Sequence, residues 1–439
     1  MVKILSTLGP QIGKKNLNYF VNNSDIIRFN MSHNTVEWHK KNIKEVKLLN
    51  KDKLILVDIP GVKPRTLNDT EIKIKKGDLI EFGYNKKKKN LINLSNPIPN
   101  IKKNLKNFSI SDGSYNFKIV EFKKNYIKGL ALQTFILKKN KGLNIPFSNY
   151  DDNLQKNKYY NFIKKISNLD FDCIGLSFIQ NGKIIKKLKK IYPDKLFISK
   201  IENSMGYKNR FEIISNSDAI MIDRGDLAAE VGISRLSDYC DNIISQSIKL
   251  GKPIIIATEN LNSLMYESSP SKSDVINLDH YISKNVDYIM LSDETATSQN
   301  WKNTITWLSS YLSKKILTKE KSKKLNIQDI AQNLVNQNIL LFSKKGLFFE
   351  KISNINFNDL IVFTENKFLK KKLELKKNSV AILVKFPKKN LHEFFYYNID
   401  KYKNIIFRKK NFAYLINVIF PRKNSKANSI SIIDKKDFL

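Results

Sequence analysis

Residues 195–230 read KLFISKIENSMGYKNRFEIISNSDAIMIDRGDLAAE, and they contain two strand-helix repeats in succession. The short apolar run Leu196–Ser199 is followed by a helical pattern from Met205 to Ile214, and the apolar run Ala219–Ile222 by a longer one. Repeats of this kind predict parallel strands joined by helices. The carboxyl ends of such strands converge on one face, so polar residues that follow each strand are expected to meet there.

Three ionisable residues follow these two strands. Lys200 and Glu202 come after the first strand, and Asp226 comes after the second, 24 positions beyond Glu202. Taken separately, Lys-Ile-Glu is also an ordinary solvated pattern, and an aspartate is also a common helix cap. Two carboxylates without a neighbouring His or Cys suit a hard cation such as Mg²⁺, with substrate oxygens completing its coordination. Their joint placement favours an active site with a divalent metal.

Apolar runs of the same kind recur along the chain and predict its fold. Eight segments follow these eight runs, and seven of those segments can hold a helix, which predicts a (β/α)8 TIM barrel. The third gap alternates as β-strands do and carries turn signals such as Lys76-Gly77-Asp78, so it predicts an inserted β lid. The predicted barrel strands are Ile4–Leu8, Ile26–Phe29, Leu54–Val57, Cys173–Leu176, Leu196–Ser199, Ala219–Ile222, Pro253–Ala257 and Tyr288–Leu291.

A chain of 439 residues is long enough for several domains. We predict a barrel from residues 1–65 and 146–318, a small β-barrel lid domain at 66–145, and a C-terminal α/β domain at 319–439. A Lys-rich helix is predicted to end near Lys324. The C-terminal domain is predicted to contain strands Leu360–Thr364, Val380–Val384, Asn404–Phe407 and Leu415–Ile419, with helices at 366–376 and 389–397.

The composition is strongly basic, with a formal net charge of +36 and a pI near 9.8. Such a surface can bind nucleic acid by displacing counterions from phosphates. However, the lysines are spread over the whole chain, and no zinc finger, RNP motif or basic heptad region accompanies them. We interpret the charge as solvated lysine faces that attract anionic substrates, and we expect no nucleic-acid partner. The run Lys86–Lys89 is interpreted in the same way, as a hairpin loop.

Nothing in the sequence predicts export or a membrane span. Cys173 and Cys240 are the two cysteines, and both lie in apolar or helical patterns, so neither a disulfide framework nor a zinc site is expected. The N-terminal run lacks a long apolar core, and no stretch approaches the ~20 apolar residues of a membrane helix. We therefore expect a cytoplasmic protein.

Many short segments of the chain resemble signatures of the pyruvate kinase family. SKIEN at 199–203 and RGDL at 224–227 are two of them, and the resemblance covers 1–65 and 140–316 best. It implies transfer of the phosphoryl group of phosphoenolpyruvate to ADP, giving pyruvate and ATP, the last step of glycolysis. The other segments are STLGP (6–10), IRFNMSHN (27–34), DIPGVKPRT (58–66), KGLNIP (141–146), GLSFIQ (175–180), GKPIIIAT (251–258) and IMLSDETA (289–296).

The resemblance also implies roles for residues that match the family's motifs. It places Mg²⁺ or Mn²⁺ on Glu202 and Asp226, and Lys200 against the phosphoryl group in transfer. Arg28 would hold the phosphate with a bidentate fork, a geometry that lysine cannot copy. The implied catalytic and substrate-binding residues are Lys200, Arg28, Gly225, Asp226, Thr258, Ser292 and Glu294. The implied nucleotide-binding residues are Thr7, Pro10, Asn30, His33, Arg65 and Lys141.

Each nucleotide residue also has a local structural explanation. Pro10 can end a strand, His33 can satisfy a turn, and Lys141 can be one more solvated lysine. No glycine-rich P-loop occurs, so the P-loop kinase class is not supported. The resemblance further implies a homo-oligomer, a tetramer or a dimer. Regulation by a sugar phosphate is not expected, because Pro421–Ser425 stands where a glycine-rich effector loop would be.

Departures from the family affect its monovalent-cation site. In most members K⁺ is held by residues that match Asn30, Ser32, Asp58 and a threonine, with a glutamate nearby. Here Ile59 stands at the threonine and Lys63 at the glutamate. The first change removes a hydroxyl ligand, and the second supplies a tethered positive charge, as in the family branch that works without potassium. We predict that K⁺ is not required.

Other departures leave alternative functions open. Pro60 and Pro64 stiffen the connection on which the lid should swing, and Asp223 replaces a small residue. One alternative is a catalytically weak relative that serves as a basic binding or regulatory protein. Its intact charged site residues argue against that reading. Another is a different barrel enzyme that handles phosphoenolpyruvate or pyruvate, and the lid with Arg65 and Lys141 argues against it, because a lyase needs no nucleotide clamp.

Overall fold

The structure is a computed structural model of the 439-residue chain. It describes residues 2–86, 88, 90–101, 104–317, 335–345, 356–417 and 429–438. These residues form two compact units. The larger unit comprises Ile4–Ser247 and Ile254–Thr306, and the smaller comprises Met1–Lys3, Ile248–Pro253 and Trp307–Leu439. Among the helices that the structure describes, none is long and apolar enough to cross a membrane.

The predicted barrel is confirmed. Eight parallel strands close on one another in chain order. They are Lys3–Thr7, Ile26–Asn30, Leu54–Ile59, Cys173–Leu176, Leu196–Lys200, Ala219–Asp223, Ile254–Ala257 and Tyr288–Leu291. Most of their side chains are buried, because helices cover the outside of such a sheet and side chains fill its interior. Lys200 and Asp223 are the last residues of their strands, which places both side chains at the carboxyl rim.

Helices follow the strands, as the sequence patterns predict. Several begin at a side-chain cap: Thr35, Asp151 and Ser271 each accept a hydrogen bond from a backbone N–H of the first turn. The pattern from Met205 to Ile214 is divided into two helices at Asn209, a residue of low helix propensity. The helices are Lys14–Asn22, Val36–Leu49, Asp152–Ile166, Gly182–Ile191, Ser204–Lys208, Arg210–Asn216, Arg224–Val231, Leu236–Lys249, Lys272–Ser283, Asp293–Thr297 and Trp301–Leu317, with 3-10 turns at Ile233–Arg235 and Asn262–Met265.

Aspartates mark the opposite, amino end of the barrel. Every second strand is preceded by an aspartate whose carboxylate accepts a hydrogen bond from a backbone N–H of the neighbouring strand. The pairs are Ile4 N with Asp25 (2.7 Å), Ile55 N with Asp172 (3.1 Å), Phe197 N with Asp218 (2.9 Å) and Ile254 N with Asp287 (3.0 Å). In each pair the aspartate's own N–H donates back to the carbonyl of that partner. These carboxylates join neighbouring strands two by two.

The inserted β domain follows the third barrel strand, as predicted. Its strands are Ile72–Ile74, Leu79–Gly83, Leu91–Asn93, Asn107–Ile110, Tyr115–Lys123, Tyr126–Ala131, Phe135–Leu137 and Leu143–Asn144. They form a six-stranded and a two-stranded sheet around an aromatic core that includes Phe82, Phe108 and Phe117. Gly77 and Gly113 have φ angles of +94° and +90°, which suit glycine, at the predicted turns.

One expectation for this domain is wrong. Strands Leu79–Gly83 and Leu91–Asn93 pair in parallel, so the run Lys86–Lys89 between them is not a hairpin loop. Two lysines of the run lie outside the described residues. Asn85 and Asn90, on either side of this run, both have positive φ angles, which asparagine tolerates better than most residues.

The smaller unit contains the C-terminal α/β domain. Its sheet order is Ser379–Leu383, Asp359–Thr364, Asn338–Phe342, Phe412–Asn417 and Ser429–Asp434, of which the last strand alone is antiparallel to its neighbour. The described helices are Lys367–Glu374, Leu391–Lys401 and Lys403–Ile406, with a 3-10 turn at Lys435–Phe438. The strands predicted from Leu360 and Val380 and both predicted helices are present.

For this domain one predicted strand is wrong, one observed strand was not predicted, and two expectations lie outside the described residues. The predicted strand Asn404–Phe407 is wrong, because Lys403–Ile406 is a helix that buries Ile406 and Phe407 against the sheet. Strand Asn338–Phe342 was not predicted. The end of the Lys-rich helix near Lys324 and the segment Pro421–Ser425 lie outside the described residues.

Candidate active site

Lys200 lies at the centre of the carboxyl rim. Its Nζ is 3.2 Å from Glu202, 3.3 Å from Asp223 and 3.4 Å from Asp58. Burial disfavours the charge of this ammonium, but the three carboxylates outweigh burial and hold the pKa of Lys200 well above its ordinary value. Lys200 is therefore a fixed cation at the end of the fifth barrel strand.

Glu202, Asp223 and Asp226 form a carboxylate cluster beside this lysine. One ligand oxygen of each lies within 4.8 Å of the other two. Glu202 is fully buried, and its Oε1 accepts a hydrogen bond from the N–H of Phe178 at 2.6 Å. Its Oε2 has no hydrogen-bond partner among the described residues, although Lys200 stands nearby. An all-oxygen cluster with such an atom fits the predicted Mg²⁺ or Mn²⁺.

The electrostatics of this cluster point the same way. Burial raises the pKa of Glu202 well above its ordinary value, Lys200 opposes that rise, and Asp223 and Asp226 add to it. Burial likewise raises the pKa of Asp226 to about 6, with Lys63 opposing. Because burial and the neighbouring carboxylates disfavour these negative charges, a divalent cation bound between them would stabilise the charged forms.

Lys63 connects this cluster to the lid. Its Nζ contacts Asp226 and lies 2.7 Å from Asp112, which occupies a turn of the inserted β domain. Burial opposes the charge, but Asp226 and Asp112 hold the pKa of Lys63 above its ordinary value. Asn144, also from the lid, donates to Asp226 at 3.4 Å. Lid and barrel residues therefore meet at one carboxylate.

Arg28 is a second buried cation of the rim. Its guanidinium lies 2.8 Å from Asp58, donates to Thr7 Oγ1 at 2.8 Å and donates to Asp293 at 3.1 Å. Burial disfavours its charge, but Asp293 and Asp58 hold the pKa of Arg28 above its ordinary value. Asp58 thus bridges Arg28 and Lys200, the two cations assigned to the phosphoryl group.

The residues of the predicted monovalent-cation site lie around Asp58. Asn30 donates to Asp293 at 2.8 Å, and its Oδ1 accepts from the N–H of Ser32 at 3.1 Å. Ile59 is fully buried and offers no side-chain oxygen. Lys63 forms its ion pairs with Asp112 and Asp226, and among the described residues none joins it to Asp58.

Thr258 is held in a strained conformation at the end of the seventh strand. Its φ is +59°, which is uncommon for a β-branched residue. Its Oγ1 accepts from the N–H of Gly225 at 3.1 Å, and its own N–H donates to Ser292 Oγ at 3.1 Å. Strain of this kind persists where the surroundings over-determine it, and it concentrates at functional sites.

Arg224 supplies that support, a role the sequence argument missed. Its guanidinium donates to the backbone carbonyls of Ala257 (3.2 Å) and Thr258 and to Asn260 Oδ1 (2.9 Å). A buried cation fixed to the carbonyl of Thr258 holds the seventh strand end against the RGDL helix. Its position directly before Gly225 was the available signal.

The predicted nucleotide residues are more dispersed. Thr7 and Asn30 belong to the Arg28 network already described, whereas Pro10 and His33 are exposed. Arg65 donates to the carbonyl of Asn140 at 3.1 Å, and the backbone N–H of Lys141 donates to Thr66 at 3.1 Å. These last contacts tie the two ends of the lid insertion together. Glu294 is exposed on the helix Asp293–Thr297, beside Ser292.

Three further acids belong to the site, and sequence reasoning gave them no role. Asp223 was seen as a departure from the family but not as part of the cluster. Asp293 lies two residues after the end of the last barrel strand, so the rule that selected Asp226 could have found it. Asp112 carries no such signal, because the fold of the lid alone brings it to Lys63.

Comparisons with known proteins show which family the chain resembles. A family model described as pyruvate kinase, barrel domain, matches residues 1–305. The pyruvate kinase of Methanocaldococcus jannaschii is 32% identical over 301 residues, 67% of this chain and 64% of that protein. That of Thermococcus litoralis is 29% identical over 309 residues, 67% of this chain and 65% of that protein. These matches span slightly less than two thirds of both relatives.

Solved structures resemble the chain over its whole length. The crystal structure of the pyruvate kinase from Pyrobaculum aerophilum has a TM-score of 0.77 at 21% identity, covering 99% of this chain and 98% of that one. A pyruvate kinase structure from Cryptosporidium parvum has a TM-score of 0.80 at 21% identity, covering 99% and 96%. At this identity the likeness shows the fold. With the family model matching most of the chain, the chain belongs to the pyruvate kinase family.

Proposed function

We propose that this protein transfers the phosphoryl group of phosphoenolpyruvate to ADP, with Mg²⁺ or Mn²⁺ as cofactor, releasing pyruvate and ATP. The observation that carries the proposal is the bridge at Asp58, which holds Arg28 at 2.8 Å and Lys200 at 3.4 Å. Two fixed cations beside a cluster of buried carboxylates suit a reaction that depends on positioning and charge stabilisation.

Arg28 and Lys200 divide the work on the phosphoryl group. The planar guanidinium of Arg28 can bind two phosphate oxygens at once, and its contact with Asp293 is the one that a phosphate can replace, because Asp293 is partly exposed. Lys200 keeps its charge through burial among carboxylates, so it can stabilise negative charge on the phosphoryl group and on the enolate oxygen as the bond breaks.

Glu202 and Asp226 would hold the divalent ion. When bound, such an ion supplies positive charge that draws the substrate oxygens together and stabilises the developing charge. The backbone N–H groups of Gly225 and Asp226, at the start of the helix Arg224–Val231, would receive the substrate carboxylate. The N–H of Gly225 donates to Thr258 Oγ1 at 3.1 Å, so a substrate carboxylate would replace that contact.

Thr258 and Ser292 would take part in moving the proton that turns the enolate into pyruvate. Thr258 Oγ1 donates to the carbonyl of Ala257 at 2.7 Å, and Ser292 Oγ accepts from the N–H of Thr258. The hydroxyl proton of Ser292 is therefore available for a chain that runs through water toward Glu294. Arg65 and Lys141, at the two ends of the lid insertion, would hold the phosphates of ADP.

Lys63 supports the further proposal that potassium is not required. It is a buried, tethered cation next to Asp226, so positive charge is present beside the carboxylate cluster without a monovalent ion. We expect nearly equal activity in potassium buffer and in a bulky organic-cation buffer of equal ionic strength. Lys63→Glu should lower activity unless potassium is supplied. Lys73 is an exposed lysine of the lid, and Lys73→Glu should leave the activity unchanged both in potassium buffer and in organic-cation buffer. A many-fold activation of the unaltered protein by potassium would contradict this.

The proposed reaction is tested by following pyruvate formation from phosphoenolpyruvate and Mg²⁺, with and without ADP, using lactate dehydrogenase and NADH as the coupled readout. We expect pyruvate when ADP is present and background alone when it is omitted. Pyruvate formed without ADP would point to another type of barrel enzyme. Absence of pyruvate under both conditions would contradict the proposed function.

A further inference from the structure

Asp223 is a buried acid at the carboxyl rim to which the proposed reaction gives no role. Its carboxylate is the final side chain of the sixth barrel strand, and the residue is 7% exposed. A ligand oxygen of Asp223 lies within 4.8 Å of those of Glu202 and Asp226, so the three carboxylates can reach one ion. The hydrogen bonds of Arg224, its neighbour, fix the backbone at this point.

The charge around Asp223 is not balanced by protein groups. Asp223 forms an ion pair with Lys200 at 3.3 Å, but that ammonium also pairs with Glu202 and Asp58. Asp226 shares Lys63 with a lid carboxylate in the same way. Buried carboxylates are costly unless they are paired or bind a metal, so this surplus of negative charge calls for a cation.

A second observation points to the ligand. Glu202 Oε2 is buried and has no hydrogen-bond partner among the described residues, and the ammonium that lies 3.2 Å from it, that of Lys200, is shared with Asp223 and Asp58. A buried carboxylate oxygen that has only a shared ammonium beside it is a place where a bound cation or water is expected. Because this residue is in the same cluster as Asp223, one ion can satisfy both.

Asp223 also faces the place where the substrate carboxylate is proposed to bind. Its Oδ1 lies 3.9 Å from the position that a Cβ would take on Gly225, so it faces the opening that leads to the helix N–H groups. An anionic substrate that enters there meets the charge of Asp223. A cation bound to Asp223 would remove that repulsion before the substrate arrives.

We propose that Asp223 is a third carboxylate ligand of the divalent cation, so that this protein holds the ion through Glu202, Asp223 and Asp226 before any substrate binds. The inference rests on the metal site of the proposed function and adds a ligand to it. Three carboxylates bind a hard cation more tightly than two, because affinity in oxygen sites follows the ligand charge.

The test is the binding of Mn²⁺ to the full-length protein without phosphoenolpyruvate or ADP, measured by the electron paramagnetic resonance signal of the free ion. Asp223→Asn and Asp223→Ala should each weaken binding by roughly tenfold or more, the size of effect seen when groups that organise a metal site are lost. Asp293→Asn is the matched control. It removes a rim carboxylate that contacts Arg28 and Asn30, and it should change the affinity by less than about twofold if direct ligation rather than general charge decides.

A second experiment, in the Lys200→Met protein, distinguishes a direct metal ligand from a residue that acts through Lys200. In the Lys200→Met protein, Asp223→Asn should still weaken Mn²⁺ binding by roughly tenfold, because a direct ligand does not need the lysine. Loss of the effect in that background would overturn the inference, and so would an equal effect of Asp293→Asn. Unchanged affinity in both Asp223 variants, with a clear loss in Glu202→Gln, would overturn this inference alone. Unchanged affinity in Glu202→Gln and Asp226→Asn as well would overturn the metal site on which it rests.

Discussion

The two ends of the barrel use acidic residues in opposite ways. At the amino end, Asp25, Asp172, Asp218 and Asp287 accept hydrogen bonds from strand N–H groups at 2.7–3.1 Å. At the carboxyl end, several acids share the same buried lysine or arginine, and Glu202 Oε2 has Lys200 Nζ at 3.2 Å but no hydrogen-bond partner among the described residues. The same residue type therefore completes the structure at one end and leaves charge unbalanced at the other.

This difference assigns the amino-end acids to the stability of the barrel and the carboxyl-end acids to its proposed function. Strand N–H groups are permanent partners, so the amino-end carboxylates need nothing from solution. The carboxyl-end carboxylates outnumber their fixed cations and can exchange partners when a metal or a phosphate arrives. This agrees with the general rule that barrel enzymes react at the carboxyl ends of their strands and use the other end for stability.

The largest effect is expected from Glu202→Gln, which removes one charge from the proposed metal site. A bound metal contributes several kcal/mol of charge stabilisation, so kcat should fall by roughly 10³-fold or more. The melting temperature without metal should not fall, because the amide oxygen of glutamine can still accept the hydrogen bond from the N–H of Phe178. Steady-state kinetics at saturating Mg²⁺ check this, and near-normal turnover would contradict the role of Glu202 in the proposed metal site.

Lys200→Met is expected to have the next largest effect. Methionine keeps the aliphatic stem but deletes the charge that faces the phosphoryl group, so kcat should fall by roughly 10²–10³-fold with a smaller change in KM. Lys189→Met is the matched control from the amino end, where Lys189 pairs with Asp218 at 2.8 Å. It should leave kcat unchanged. If KM rises and kcat holds in Lys200→Met, the lysine binds substrate and does not stabilise the transition state.

Glu230 differs from the acids at both ends of the barrel, because it has neither a strand N–H nor a lysine or arginine paired with it among the described residues. It is fully buried, neither of its oxygens has a hydrogen-bond partner among the described residues, and burial raises its pKa to about 8. The folded state thus keeps a proton that the unfolded state loses above its ordinary pKa of 4.5. That contribution to stability is complete below about pH 4.5 and is lost as the pH rises through about 8, a change on the order of a few kcal/mol.

The corresponding variant is Glu230→Gln. It should be more stable than the unaltered protein at pH 9, and the difference should shrink at pH 6, as urea unfolding at the two pH values would show. Glu267→Gln, at an exposed position, should show no such pH-dependent difference. A parallel pH dependence of the Glu230→Gln and unaltered proteins would contradict the assignment.

The smallest effect is expected at the amino end. Asp218→Asn weakens the carboxylate that accepts from Phe197 N–H at 2.9 Å and pairs with Lys189. The free energy of unfolding should fall by about 1–3 kcal/mol, the usual result of disturbing a buried, charge-assisted hydrogen bond. Below the unfolding transition, kcat and KM should not change. A fall in kcat without loss of stability would reverse the roles of the two ends.

Much of the barrel could be predicted from the sequence, because its strands are short apolar runs separated by helical patterns. The weakest predictions fell where that contrast is low. Asn404–Phe407 is as apolar as a strand, yet it forms a helix, since a four-residue run does not distinguish the two. The hairpin expected at Lys86–Lys89 failed because lysine-rich runs do not reveal which strands pair, and pairing depends on contacts far away in the chain.

The site was predicted in part for a similar reason. Lys200, Glu202 and Asp226 follow their strands directly, so strand order alone brings them together. Asp112 reaches Lys63 through the fold of a separate domain, and no local pattern could show that contact. Arg224 was overlooked because its role depends on the strained backbone of Thr258, which only the structure reveals.

The most direct test of the contrast between the two ends is the shift in melting temperature that saturating Mg²⁺ causes in the unaltered protein, in Asp218→Asn and in Asp226→Asn. A ligand at a hundred times its Kd stabilises the folded state by about 2.7 kcal/mol. Mg²⁺ should therefore raise the Tm of the unaltered protein and of Asp218→Asn by the same amount, although the latter starts lower, and it should leave the Tm of Asp226→Asn nearly unchanged. An equal magnesium shift in all three proteins, or its loss in Asp218→Asn alone, would contradict the assignment of cation binding to the carboxyl end.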